Sequence, residues 1–150
     1  MRNALVVLMA GAGLWVAPAW ADPGGETTAD ILALEKSGLD GWLKGDPGPP
    51  LAITDSQITY SHTVVEKRLD GLPAVKELYE RFRGTPLFDS YEILTPKVQV
   101  SGEVAVLTYL LAQHTGTVTT FWNATQVYQR RKEGWRVIHT HWSKGNGPRP

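Results

Sequence analysis

Histidine carries most of the titratable chemistry available near neutral pH in this chain, which has four His and no Cys. His139 and His141 lie two apart in the run Trp135 to Trp142. On a strand that spacing puts them on one face with Trp135 and Val137, and leaves Arg136, Ile138, Thr140 and Trp142 on the other. His62 follows Ile58 and Tyr60 in a second alternating run. The pattern predicts that Tyr60, His62, His139 and His141 converge, with His62 the candidate catalytic residue. Three chemistries fit such a cluster. Imidazole titrates near neutrality and both donates and accepts, so the group could hold or protonate a small organic ligand. His62, His139 and His141 could instead ligate a divalent metal, although no Asp, Glu or Cys stands beside them at ligand spacing. The third possibility is a purely structural set, hydrogen-bonded within the fold or at a subunit surface.

A strand long enough to wall a pocket is expected over Thr117 to Arg131. Trp122, Gln126 and Tyr128 share one of its faces; Phe121, Asn123, Thr125 and Val127 share the other. Trp122 and Asn123 are ligand-contact candidates, and alternation alone leaves open which face is inner. Tyr79 and Phe82 read as core of a helix, and Arg68 as a surface charge. There is no Ser-His-Asp order, no Gly-rich phosphate loop and no Cys nucleophile, and no cofactor is called for.

These side chains need elements to position them. Ile31, Leu32, Leu34, Leu39, Trp42 and Leu43 recur at helical spacing. A first helix is therefore expected over 28–44, opened by a Thr27–Asp30 capping box and closed by Gly45. Asp46 to Pro50 breaks the chain, and Leu51 to Asp55 could form one helical turn. Gln57 to His62 alternates as a short strand. After the Asp70-Gly71 turn, Pro73 suits the first turn of a second helix, with Leu72, Val75, Leu78, Tyr79 and Phe82 as its stripe and Gly84 as its stop. The period then changes. Tyr91 to Val100, interrupted at Pro96, Val104 to His114, Thr117 to Arg131 and Trp135 to Trp142 read as strands joined by tight turns. The second of these is apolar on both faces and so should be covered on both. Helices first and a meander after them imply an α+β domain: a curved antiparallel sheet packed on the N-terminal helices, coned around a cavity.

Several of these segments form a familiar series. They are Trp42 with Gly45-Asp46, Lys67 to Gly71, Pro96 to Gly102 followed by Ala105 to Thr108, and the ending Trp135-Arg-Val-Ile-His-Thr-His-Trp-Ser143. The series resembles the SnoaL-like branch of the nuclear transport factor 2-like superfamily. It is most similar to the association domain of calcium/calmodulin-dependent protein kinase II, which also ends in Trp…His-x-His-x-Ser. The resemblance implies a cone-shaped α+β barrel over 28–143 and a homodimer paired through its sheet. It does not imply one activity, since the superfamily holds isomerases, cyclases, dehydratases, binders and assembly hubs. Relatives often carry Tyr-Phe-Asp-Pro in the first strand; here Tyr60-Ser-His-Thr63 places an imidazole where those relatives have a carboxylate. Isomerisation of the ketosteroid kind needs a carboxylate inside an apolar pocket facing oxyanion donors. Glu92, near a strand start, is the nearest acid the pattern offers, so that reaction is not predicted.

The beginning and the totals bound the rest. Arg2, an uncharged run from Ala4 to Ala17 and Ala19-Trp20-Ala21 are the three parts of a signal peptide, expected to be cleaved before Asp22. A flexible segment (22–27) and a disordered Gly/Pro tail (144–150) would flank the domain. Lys plus Arg number 15 against 15 Asp plus Glu, which gives no electrostatic footprint for nucleic acid. No apolar run after the leader is long enough to span a membrane. The expectation is a periplasmic or secreted protein that binds a small, largely apolar molecule. A His-based isomerase or lyase and a ligand-free assembly domain are the alternatives.

Overall fold

The computed structural model describes residues 25–148. The leader and the first half of the segment after it lie outside the described residues, as do the last two residues.

The chain runs α1 (Glu26–Leu43), α2 (Gly48–Ala52), β1 (Thr54–Ser61), β2 (Leu69–Asp70), α3 (Leu72–Glu80), β3 (Ser90–Ser101), β4 (Val104–Thr115), β5 (Val118–Arg131) and β6 (Gly134–Lys144). The six strands make one curved sheet in the order β2-β1-β6-β5-β4-β3. It departs from the expected antiparallel cone in two ways. β1 pairs parallel with β6, so the sheet is mixed, and it is open rather than closed. The parallel pair arises because the four-strand meander brings its last strand back beside the first. This is an α+β domain with its helices on the concave side.

Alternation decides what each strand buries. Ala105, Leu107, Tyr109 and Leu111 of β4, Ala124 and Tyr128 of β5, and Ile58 and Tyr60 of β1 form the inner face. Ile31 and Leu39 of α1 and Val75 and Leu78 of α3 pack into the same core.

Several boundaries differ from the pattern. α1 starts at Glu26 and carries no side-chain cap; Thr27 lies buried in its first turn. Helix formation resumes at Gly48, not Leu51, because Pro49 and Pro50 fall in the first turn of α2, where a missing N–H costs nothing. Gly41 lets α2 approach α1: a Cβ there would stand 2.7 Å from the Asp46 carbonyl. Gly45, at φ +68°, lies against the loop after α3; a Cβ on it would meet the Thr85 amide at 2.6 Å. The tail is ordered further than expected. Lys144 ends β6, and the Gly145 amide donates to the Phe121 carbonyl at 2.9 Å.

β6 holds the irregularity that matters most. Val127 pairs with His139 while its neighbour Tyr128 pairs with Val137. Ile138 is therefore the extra residue of a β-bulge. The inner face passes from Trp135 and Val137 to Thr140, with the phase of alternation reversed.

Candidate functional site

Between the helices and the concave face lies a cavity of about 270 Å³. α1 contributes Glu35, Leu39 and Trp42; α3 and the turn after it contribute Leu78, Tyr79 and Phe82; the sheet contributes Tyr60, Trp122, Gln126, Thr140 and Trp142. Val64 and Leu87 also line it and are 59% and 38% exposed, so they mark its rim.

Among the described residues, three polar side chains on the wall are buried, Glu35, Gln126 and Thr140, and Glu35, 5% exposed, is the ionisable one. Tyr128 donates to Oε2 at 2.5 Å, and Gln126 Nε2 donates to Oε1 at 3.3 Å. The Tyr109 hydroxyl also donates to Oε1. Gln126 is fixed in turn by Thr140, whose hydroxyl donates to its Oε1 at 2.6 Å. Gln126 and Thr140 are cross-strand partners, so the backbone register builds that contact. Burial pushes the Glu35 carboxyl above its ordinary range, against the three donations that favour its charged form. The same burial, with the carboxylate beside them, pushes the Tyr109 and Tyr128 hydroxyls well up, so they stay protonated as donors.

His62 stands further out, half-buried. Its Nδ1 accepts from the Val64 amide at 3.1 Å, which puts the proton of the neutral ring on Nε2. No hydrogen bond to Nε2 is present among the described residues. The ring lies 4.9 Å from Trp122, 6.4 Å from Trp142 and 6.1 Å from Tyr60, on which it stacks. Burial, then the Lys144 and His141 charges, lower its pKa, so the neutral ring is favoured.

The expected histidine cluster does not form. Tyr60, His62 and Trp122 line the cavity; His139, His141 and Asn123 do not. His139 is held on the opposite face of the sheet by Thr59, 2.7 Å from its Nδ1, and His141 is exposed opposite Ser61. The Ile138 bulge is the cause, because it inverts the alternation between Val137 and Thr140. The three imidazoles therefore cannot share one ion, and the described residues contain no group of three or more His, Cys, Asp or Glu placed to hold a metal. On β5 the face of Trp122 and Gln126 is the inner one. Asn123 points outward and donates to the Lys144 carbonyl at 3.3 Å. Glu92 is exposed beside His114, and Arg68 makes an exposed ion pair with Asp70. Tyr79 and Phe82 pack on the core and line the cavity as well.

An acid inside the cavity was therefore the residue the strand patterns missed, because it comes from a helix. Its signal was present: Ile31, Glu35 and Leu39 are spaced by four, so Glu35 sits within the buried stripe of α1.

The comparisons with known proteins converge on this architecture. Residues 27–146 match the family model of the calcium/calmodulin dependent protein kinase II association domain. The chain belongs to that family. Among solved structures, this association domain is similar to a candidate ketosteroid isomerase from Parabacteroides distasonis. The two share 30% identity over 78% of this chain and 86% of that one, with a TM-score of 0.69. A nuclear transport factor 2-like protein of unknown function from Pseudomonas putida shares its fold at 19% identity, covering 85% and 99% of the two chains, with a TM-score of 0.73. So does the association domain of the C. elegans kinase, at 19% identity, 82% and 99% coverage and a TM-score of 0.68. Among curated protein sequences, no relative matches the chain. No helix of the described residues is long and apolar enough to cross a membrane.

Proposed function

We propose that this association domain binds a small, largely apolar molecule in its concave cavity, with the molecule's polar end toward Glu35 and His62 over its outer part. The observation that carries the reading is the buried Glu35 carboxyl, held by Tyr109, Tyr128 and Gln126 at the wall of a largely apolar space. The volume is left unfilled by side chains, whereas protein interiors pack close to crystal density. Native mass spectrometry of the protein purified from its own host, before and after denaturation, tests it. A retained organic mass that is lost on His62→Ala supports the reading; a protein that carries nothing in repeated preparations counts against it.

A second reading, proton transfer on the bound molecule, is favoured by the unpartnered Nε2 of His62 in the same cavity as an acid. Incubating the retained molecule with the protein in deuterium oxide checks it. Deuterium in a carbon-bound position, absent when the protein is left out, would show proton transfer on the bound molecule; no incorporation would count against this second reading.

The chain also self-associates, in this proposal, through the outer face of its sheet. Val106, Leu110 and Val127 of that face are each partly exposed in the single chain, and similar domains include the kinase hub from S. rosetta and a hub homology domain from Chlamydomonas. Export rests on the leader. The mature N-terminus at Asp22, read by sequencing the secreted or periplasmic protein, is its check.

A further inference from the structure

We propose that the cavity selects an organic cation, a small substituted ammonium, over a neutral molecule of the same shape. The inference rests on the ligand-site reading above and gives that ligand a charge.

The wall of the cavity is largely aromatic, and its rings are in contact with one another. Trp42 meets Tyr79 edge to face at 4.8 Å and 84°, and Phe82 at 6.4 Å and 89°. Tyr79 meets Tyr60 at 5.7 Å and 82°. Tyr60 connects through His62 to Trp122 and Trp142. The face of an aromatic ring is negative, and a cation within roughly 6 Å of its centre is attracted, most strongly by Trp and where water is excluded.

The charges agree with the rings. Among the described residues that line the cavity Glu35 is the one acid, and none of them is Lys or Arg. An anionic ligand would meet a carboxyl inside the cavity, and the bases near it, His62 and Lys144, stand at its outer part. A neutral apolar ligand would have no use for a carboxyl that is costly to bury. A substituted ammonium suits both features, because its alkyl groups bury like hydrocarbon while its charge faces the rings and the acid. The chain shows the same preference at the cavity's edge: the Lys144 ammonium lies 4.2 Å over the Trp122 ring.

Choline and dimethylbutanol, in which carbon replaces the ammonium nitrogen, have nearly the same shape and differ in charge. Titrating each into the wild-type protein, followed by calorimetry and tryptophan fluorescence, tests the proposal. Choline is expected to bind at least about tenfold more tightly than the alcohol. Glu35→Gln should remove most of that ratio. Lys144→Met should tighten choline binding and leave the alcohol unchanged, since it removes a like charge at the rim. An alcohol that binds as tightly as choline overturns the cation inference and leaves the ligand site standing. If neither binds, and the protein from its host also carries no small molecule, both fail together. The wild-type ratio needs no variant, so poor folding of Glu35→Gln leaves the test intact.

Discussion

Glu35 receives three donations and still lies where charge is disfavoured. Its folded pKa is raised above the ordinary 4.5, so its contribution to stability is fully present below that pH and is lost as pH rises through the folded value. Urea unfolding at a series of pH values should show the wild type losing stability, relative to Glu35→Gln, from about pH 4.5 upward. A flat difference between the two proteins would contradict the burial argument. Tyr128→Phe keeps the ring and removes the one donor to Oε2 among the described residues. It should cost about 1–3 kcal/mol in the same assay, because a buried acceptor is left unpaired. His62 has the opposite sign. Its lowered pKa makes the unfolded chain bind the proton first, so its contribution is complete above about pH 6.5 and falls as pH drops below that value.

At the scale of elements, two backbone features position the site. The Ile138 bulge turns Thr140 and Trp142 inward and His139 and His141 outward. His141→Ala should therefore leave ligand retention unchanged, while His62→Ala abolishes it, as read by native mass spectrometry. The second feature is the close approach of the loop after α3 to the end of α1. Gly45 holds a left-handed backbone there, with no room for a Cβ. Gly45→Ala should destabilise the protein by more than about 1 kcal/mol, measured by urea unfolding, since strain adds to the clash. The opening between α1 and α3 would then be the first region to gain amide exchange.

For the whole molecule, the proposed ligand binding and the proposed self-association are expected to be separable. A ligand that binds only the folded state stabilises it by mass action, by about 2.7 kcal/mol at a hundred times its dissociation constant. Choline should raise the unfolding midpoint in a concentration-dependent way, and dimethylbutanol much less. Val106→Asp, on the opposite side of the sheet, should yield monomers by light scattering while keeping that shift. Loss of the shift together with the dimer would mean that the cavity is completed by the second copy.

Much of the architecture was legible from local pattern. Helical spacing in α1 and α3, alternation in β1 and β4 to β6, and the terminal Trp…His-x-His-x-Ser series were enough for the fold class and the family. Period and turn chemistry are local properties, so a single chain displays them. The site was less legible. Tyr60, His62 and Trp122 fall on runs whose regular alternation carries them inward. His139 and His141 follow a bulge, which one strand's sequence does not announce because it is defined by the register of β6 against β5. Glu35 was visible only as an acid on an apolar stripe. Whether such a residue is paired or exposed depends on what faces it, and Tyr109, Gln126 and Tyr128 come from strands more than seventy residues away. Alternation and helical period were written in the chain itself. Register and long-range polar pairing were decided only when the sheet closed over the helix, because each depends on two segments at once.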